Sequence, residues 1–133
     1  MAEFTTKVDQ AIKLLQAYNR QHNLVLAYSG GKDSDVCRIL CQLAHVPVDL
    51  VYNNTTIDRP HTIQRCIQFN AHIVRPKTPF LQRLAVRGLP SLNRRWCCAE
   101  FKERYIAPYA IFGIRATESV KRKKRYTEPT ECK

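Results

Sequence analysis

The sequence predicts an α/β fold in which a mostly parallel sheet carries helices on both faces. Short apolar runs, typical of buried parallel strands, alternate with longer amphipathic patterns, typical of helices. Polar loops follow the apolar runs, and ligands of such sheets bind at the carboxyl ends of the strands. No internal repeat or low-complexity segment interrupts this alternation before the last dozen residues.

Four apolar runs are the predicted strands, at residues 24–28, 48–52, 72–75 and 109–114. Pro47 introduces the second strand and Pro76 closes the third, because proline donates no ladder hydrogen bond. A helix over residues 4–20 has apolar side chains at helical spacing and is expected to pack on the sheet. The helix after the first strand, residues 35–43, has an apolar stripe at positions 36, 39, 40 and 43.

Three more helical patterns complete the predicted fold. Arg59 and Pro60 open a helix that extends to about residue 69, since proline is tolerated in a first turn. Thr78 and Pro79 start another helix, which Gly88 ends. A short helix follows the cysteine pair at positions 97 and 98 and extends to about residue 104.

Length and composition indicate one globular domain, residues 1–120, with a basic tail at residues 121–133. No apolar run is long enough to span a bilayer, and the amino terminus lacks the pattern of a signal peptide, so a cytoplasmic protein is expected. The net charge of +11 is concentrated late in the chain, above all at residues 121–125. Such a run is often a solvated tail, but it could bind polyphosphate or nucleic acid, in which case affinity should fall with salt.

The loop after the first strand has the residues of an anion site, Ser29, Gly30, Gly31, Lys32, Asp33 and Ser34. Glycines let a backbone approach a phosphate closely, and the following helix supplies unpaired N–H groups and the positive end of its dipole. The spacing is not that of a Walker A motif. We call residues 29–34 the glycine loop and predict that it binds phosphate or sulfate. We also predict that Gly31→Val abolishes nucleotide binding without unfolding the domain, because a side chain would obstruct the phosphate and strain φ at this residue.

Two further polar loops should lie beside the glycine loop. One begins at Asn53, after the second strand, and the other at Arg115, after the fourth. Because the carboxyl ends of parallel strands share one edge of the sheet, all three loops are expected to converge. Placement of Arg115 and Gly30 at opposite edges of the sheet would contradict this interpretation.

Four segments in the same order resemble the phosphoadenosine-phosphosulfate reductase family, and most closely its small phage- or plasmid-type members. They are the glycine loop, residues 52–58, residues 95–98 with Lys102, and residues 113–119. The resemblance implies a Rossmann-like fold similar to the adenine-nucleotide alpha-hydrolases, with a site for an adenine nucleotide or sulfonucleotide. The glycine loop would then hold the anionic end, while other walls would come from Thr55, Thr56, Asp58, Lys102, Arg115, Ser119 and Arg122.

The resemblance also bears on three late cysteines. Cluster-bearing relatives join a Cys-Cys pair to a later Cys-x-x-Cys, whereas here Cys97 and Cys98 are followed by Cys132 alone. Because a four-iron cluster needs four thiolates, we predict that the isolated chain holds no intact cluster and that the pair is reduced and lines the site. Cys132 follows Thr130 and Glu131 and resembles the nucleophile of sulfonucleotide reductases, although the Gly-Leu-His that follows that nucleophile in relatives is absent.

Three functions remain open at this point. The first is thiol-dependent reduction of a sulfonucleotide, with Cys132 as nucleophile and a thioredoxin-like reductant. The second is an ATP pyrophosphatase that adenylates an acceptor such as tRNA, in which Asp33 would help to place Mg²⁺ and the basic tail would bind the acceptor. The third is a non-catalytic module that binds a nucleotide or a partner.

Overall fold

Four parallel strands form one sheet with the order β3-β2-β1-β4. The structure, a computed structural model, describes residues 1–102, 104, 107–118, 120 and 124. The strands are short and match the predicted order: β1 Val25–Ala27, β2 Asp49–Asn53, β3 His72–Val74 and β4 Ala110–Ile111. In register, Leu26 lies between Leu50 on β2 and Ile111 on β4. The predicted α/β class with a parallel sheet is confirmed.

Four α-helices accompany the described strands. They are α1 Ala2–Asn19, α2 Lys32–Leu43, α3 Pro60–Gln68 and α4 Phe80–Arg87. Pro60 occupies the first turn of α3, and the left-handed Gly88 (φ +75°) follows the end of α4. The helix predicted after residue 98 is instead one π-helical turn, Cys98–Lys102, and a 3₁₀ turn, Ala116–Glu118, follows β4. None of the described helices is long and apolar enough to cross a bilayer.

The buried side chains of the strands lie mainly on one face of the sheet. Leu26 is fully buried, and the neighbouring Leu24 packs with Ala44 and Val46 beneath α1, whose Ile12 and Leu15 contact this group. Near the carboxyl ends of the strands, a second cluster joins Tyr28, Tyr52 and Cys66. These two clusters fix α1 and α3 relative to the sheet, so that the loops between strands and helices have defined positions.

The apolar stripe predicted for α2 is wrong. Val36, Ile39 and Leu43 are 54%, 44% and 56% exposed, whereas the buried positions of the helix are Ser34 and Cys41. Ser34 and Cys41 are two turns apart and therefore share one face of the helix. The Ser34 hydroxyl is bonded to the loop that precedes the helix, so the loop, rather than the hydrophobic pattern, selects which face of α2 turns inward.

Leu26 gives a direct test of the assigned sheet register. Leu26→Ala removes buried methyl groups from the centre of the sheet and is expected to lower the free energy of unfolding by about 2–5 kcal/mol. Leu81→Ala is the matched control, because Leu81 is 68% exposed on α4 and its loss should cost less than about 0.5 kcal/mol. Urea denaturation of both variants measures the difference, and equal losses would contradict the register.

The buried cysteines should make stability depend on alkaline pH. Burial raises the pKa of the Cys66 thiol to about 11, and the nearby Asp58 carboxylate adds to the shift. Since the thiol of an unfolded chain ionises near pH 9, the unfolded state loses its proton first, and stability falls as pH rises from about 9 to about 11, by at most about 3 kcal/mol from this group. Burial raises the pKa values of Cys37 and Cys41 in the same direction.

Urea denaturation on either side of about pH 9 measures this dependence. Cys66→Ala removes one ionisable group and should flatten the alkaline decline without abolishing it, because Cys37 and Cys41 remain. If the free energy of unfolding declines as steeply with pH in Cys66→Ala as in the unaltered chain, folding does not raise the pKa of Cys66.

Candidate functional site

A cleft of about 570 Å³ opens at the carboxyl ends of β1, β2 and β4. This volume lies within the range that accommodates a nucleotide-sized ligand. The glycine loop, the loop after β2 and the residues after β4 all contribute to its walls. The predicted convergence of the three loops is therefore confirmed. The polar residues of the wall are Ser29, Lys32, Asp33, Ser34, Asn53, Thr55, Asp58 and Lys102.

The glycine loop is closed by hydrogen bonds to its own Ser34 side chain. The Ser34 hydroxyl donates to the Gly31 carbonyl oxygen at 2.8 Å and lies 3.3 Å from both the backbone nitrogen and Oγ of Ser29. Gly31 is the N-cap of α2, so the loop leads directly into a helix amino terminus. The loop thus presents the positive end of the α2 dipole to the cleft.

The two glycines of this loop differ in backbone conformation and in the space around them. Gly30 has a φ of +71°, and a Cβ there would lie 3.2 Å from Cγ2 of Thr62 on α3. Gly31 has an ordinary φ of −86°, and a Cβ there would meet only Ser29 Oγ, at 3.5 Å. The backbone strain expected at Gly31 is therefore wrong and belongs to Gly30. The steric argument for Gly31→Val, based on the approach of a phosphate, stays a prediction.

Behind the glycine loop, Asp35 connects β1 to α3. Its carboxylate accepts a hydrogen bond from the Tyr28 hydroxyl at 2.8 Å and forms an ion pair with Arg65. Burial and the Asp35 carboxylate raise the pKa of Tyr28, so its hydroxyl stays a donor. Arg38 stacks over the Phe69 ring at 4.0 Å and lies 3.6 Å from Asp35. This network holds the first turn of α2, and with it the glycine loop, against the sheet.

A hydrogen bond from a tyrosine to an aspartate also orders the loop after β2. The Tyr52 hydroxyl donates to the Asp58 carboxylate, which lies 3.4 Å from the Thr55 backbone nitrogen. Thr55 is buried, and its hydroxyl has no hydrogen-bond partner in the described part of the chain. Thr56, at φ +66°, accepts the Phe80 N–H through its hydroxyl at 2.8 Å and thereby caps α4. Thr56 thus has a structural role, and Thr55 and Asp58 lie on the cleft wall.

The third wall passes very close to the glycine loop. A Cβ on Gly113 would lie 2.9 Å from the Asp33 carbonyl oxygen, so this position admits only glycine without a shift of the backbone. Just beyond it, Arg115 Nε lies 3.0 Å from the Asp33 carboxylate, and Arg115 also pairs with Glu118 at 3.3 Å. Arg115 therefore lies at the same edge of the sheet as the glycine loop, as the sequence predicts.

Lys102 reaches the cleft from the π-helical turn. The Asn53 side-chain amide donates to the Lys102 carbonyl oxygen at 2.8 Å, which fastens the turn to the end of β2. From the other side, Arg83 on α4 binds Glu100 through two bonds of 2.7 Å. This contact lowers the pKa of Glu100, so the pair stays ionised. Trp96, Phe80 and Phe101 pack together beneath the turn.

Several predicted site residues are not brought into the cleft. Cys97 and Cys98 are half-buried and are not among the residues that line this cleft, and their place in the site stays a prediction. Among the described residues, no three Cys, His, Asp or Glu side chains are grouped as a metal site would require, so this part of the chain does not fit a four-thiolate cluster. Ser119, Arg122, Cys132 and most of the basic tail lie outside the described residues.

Sequence reasoning missed Gly113 and Asn53 as individual contributors to the site. Asn53 is the last residue of β2, Gly113 lies two residues after the end of β4, and Gly113 is one of only four glycines in the chain. A glycine between an apolar strand and an arginine is the signal that could have identified the close contact with the glycine loop.

The Gly113 contact can be tested by single methyl groups. Gly113→Ala should push β4 away from the glycine loop and lower the free energy of unfolding by about 1–3 kcal/mol. Gly31→Ala is the matched control, since its methyl group fits, and it should change stability by less than about 1 kcal/mol. Thermal or urea denaturation measures both, and a harmless Gly113→Ala would show that the two loops are not in contact.

Comparison with known proteins agrees with the fold. The family model of the phosphoadenosine phosphosulfate reductase domain matches residues 23–131. An uncharacterized protein of Methanocaldococcus jannaschii is 27% identical over 120 residues, which cover 80% of this chain and 29% of the relative. The chain thus spans less than a third of the length of that relative. No solved structure matches this chain. Since the family model covers most of its residues, this chain belongs to the phosphoadenosine phosphosulfate reductase domain family.

Proposed function

We propose that the cleft binds a sulfonucleotide, an adenine nucleotide that carries a sulfate, and that the protein reduces it with a thiol. The convergence of the glycine loop, the α2 amino terminus and the cations Lys32 and Lys102 on one cleft carries the proposal. The sulfate and phosphate groups would lie at the glycine loop. The adenosine would lie toward Thr55 and Asp58, where the buried Thr55 hydroxyl has unused hydrogen-bonding capacity.

The acidic groups of the cleft favour a metal-free anion over a magnesium–nucleotide complex. Asp33 is paired with Arg115, and Asp58 accepts from Tyr52, so part of the negative charge of each carboxylate is already compensated. Magnesium bound to a nucleotide is normally held by one or two protein carboxylates. Lys32 and Lys102 line the same cleft as cations. This balance supports a sulfonucleotide over the ATP pyrophosphatase alternative.

The proposed chemistry is an attack on the sulfate sulfur by the thiolate of Cys132. A sulfur–sulfur bond forms, the sulfur–oxygen bond to the phosphate breaks, and the nucleotide leaves with the electron pair on its phosphate. A thioredoxin-like dithiol then attacks the thiosulfonate, releases sulfite and becomes a disulfide, which restores the Cys132 thiol. Lys102 and Arg115 would stabilise the charge that develops on the leaving phosphate.

Binding and product formation with phosphoadenosine phosphosulfate, adenosine phosphosulfate and ATP, measured side by side, test this function. Lys102→Ala is expected to weaken sulfonucleotide binding at least about tenfold, because it removes a cation from the cleft wall. Arg20→Ala is the control, since Arg20 follows α1 and precedes β1 at the opposite edge of the sheet. Cys132→Ser should abolish sulfite release while leaving the dissociation constant unchanged.

Each alternative has its own outcome in the same experiment. Release of pyrophosphate from ATP with Mg²⁺, and no sulfite from either sulfonucleotide, would establish the adenylating enzyme instead. Tight binding of any of the three without product would identify a binding module. Iron and sulfide analysis after anaerobic purification tests the cluster prediction separately, and about four irons per chain would overturn it.

A further inference from the structure

Residues 75–104 carry exposed cations of which all but Lys102 have no role in the site described above. Residues 75–104 hold eight Lys or Arg residues against two acidic ones, Glu100 and Glu103. Glu100 is occupied by Arg83 and Arg87, at 2.7 and 3.3 Å. The remaining six cations are all exposed, and within the described residues none forms an ion pair. We call them the basic rim: Arg75, Lys77, Arg94, Arg95, Lys102 and Arg104.

Three members of the basic rim, Arg75, Lys102 and Arg104, lie near the cleft edge of the sheet. Arg75 follows the carboxyl end of β3, whose Val74 carbonyl accepts the Asn54 N–H of the cleft loop at 2.9 Å. Arg104 donates to the Arg75 carbonyl oxygen at 3.1 Å, which places the two side by side. Lys102, two residues earlier in the chain, already lines the cleft. These three cations therefore lie at or beside the mouth of the nucleotide cleft.

The arginine pair of the rim is held in place rather than carried on a loose loop. Ser91 and Arg94 exchange backbone hydrogen bonds of 3.1 and 3.3 Å, and the Ser91 hydroxyl lies 3.2 Å from the Arg94 nitrogen. Next to Arg95, the Trp96 ring stacks on Phe80 of α4 at 5.6 Å between centroids. Because the backbone that carries the two arginines is ordered, less conformational entropy is lost when they bind an anion.

We propose that the basic rim binds the phosphate backbone of a nucleic acid. Four of its six members are arginines, whose planar forks match phosphate geometry, and no described acidic side chain pairs with them. Unpaired like charges on one surface repel one another, so a dense polyanion gains both attraction and relief of that repulsion. The contacts are with phosphates, so binding is independent of sequence and strongly salt-dependent. The six residues of the rim are different residues from those of the basic tail at 121–125.

Fluorescence anisotropy with a labelled oligonucleotide, in single-stranded and duplex forms, tests the proposal on the full chain. Arg94→Ala with Arg95→Ala should weaken binding at least about tenfold and should lower the slope of log K against log salt by about two, since each lost phosphate contact removes about 0.9. Lys13→Ala with Arg20→Ala removes the same charge from α1 and its end, away from the rim, and should leave the slope unchanged.

Further measurements distinguish nucleic-acid binding by the rim from nucleotide binding in the cleft and from binding of other partners. The affinity of the Arg94/Arg95 variant for phosphoadenosine phosphosulfate should match that of the unaltered chain, which separates the rim from the cleft. Polyglutamate at equal charge should compete poorly, and equal competition would overturn the proposal in favour of an acidic protein. The proposal also fails if neither oligonucleotide form binds, or if binding disappears only when residues 121–125 are neutralised.

Discussion

The close approach of the Gly113 backbone to the Asp33 backbone is the contact on which the cleft depends. β4 contributes only two residues to the sheet, so its pairing with β1 does little to hold the chain beyond it. The backbone contact and the Arg115–Asp33 ion pair bring the third wall against the glycine loop. The cationic side chain of Arg115 then lies near the α2 amino terminus, at a distance set by the backbone rather than by flexible side chains.

Two tyrosine–aspartate pairs decide which charges the cleft presents. Ala27 pairs with Val51 in the sheet, so Tyr28 and Tyr52 lie side by side at the ends of β1 and β2. Tyr28 donates to Asp35, and Tyr52 donates to Asp58. Each bond occupies a carboxylate near the site. Burial, together with this bond, raises the pKa of each tyrosine, which keeps the hydroxyl a donor. The cations of the walls are left to determine the preference for an anionic ligand.

The sequence predicted the strand order along the chain and the convergence of three loops, because both follow from the rules for parallel sheets. It did not predict the buried face of α2, since the bonds of Ser34 to the glycine loop override the more apolar stripe. It assigned the strained glycine to position 31 rather than 30, because both residues of a Gly-Gly pair look alike until φ is known. Side-chain to backbone bonds such as that of Thr56 to Phe80 join residues far apart in sequence and leave no local pattern.

The tyrosine–aspartate pairs also bear on the order in which the cleft can assemble. Their partners are seven and six residues apart, so each closes a small loop at low entropic cost. The contact of Gly113 with Asp33, by contrast, closes a loop that contains most of the chain. The conformational entropy lost in closing this loop is offset only once the intervening strands have paired. The glycine loop and the β2 loop can thus take shape locally during synthesis, whereas the third wall joins them last.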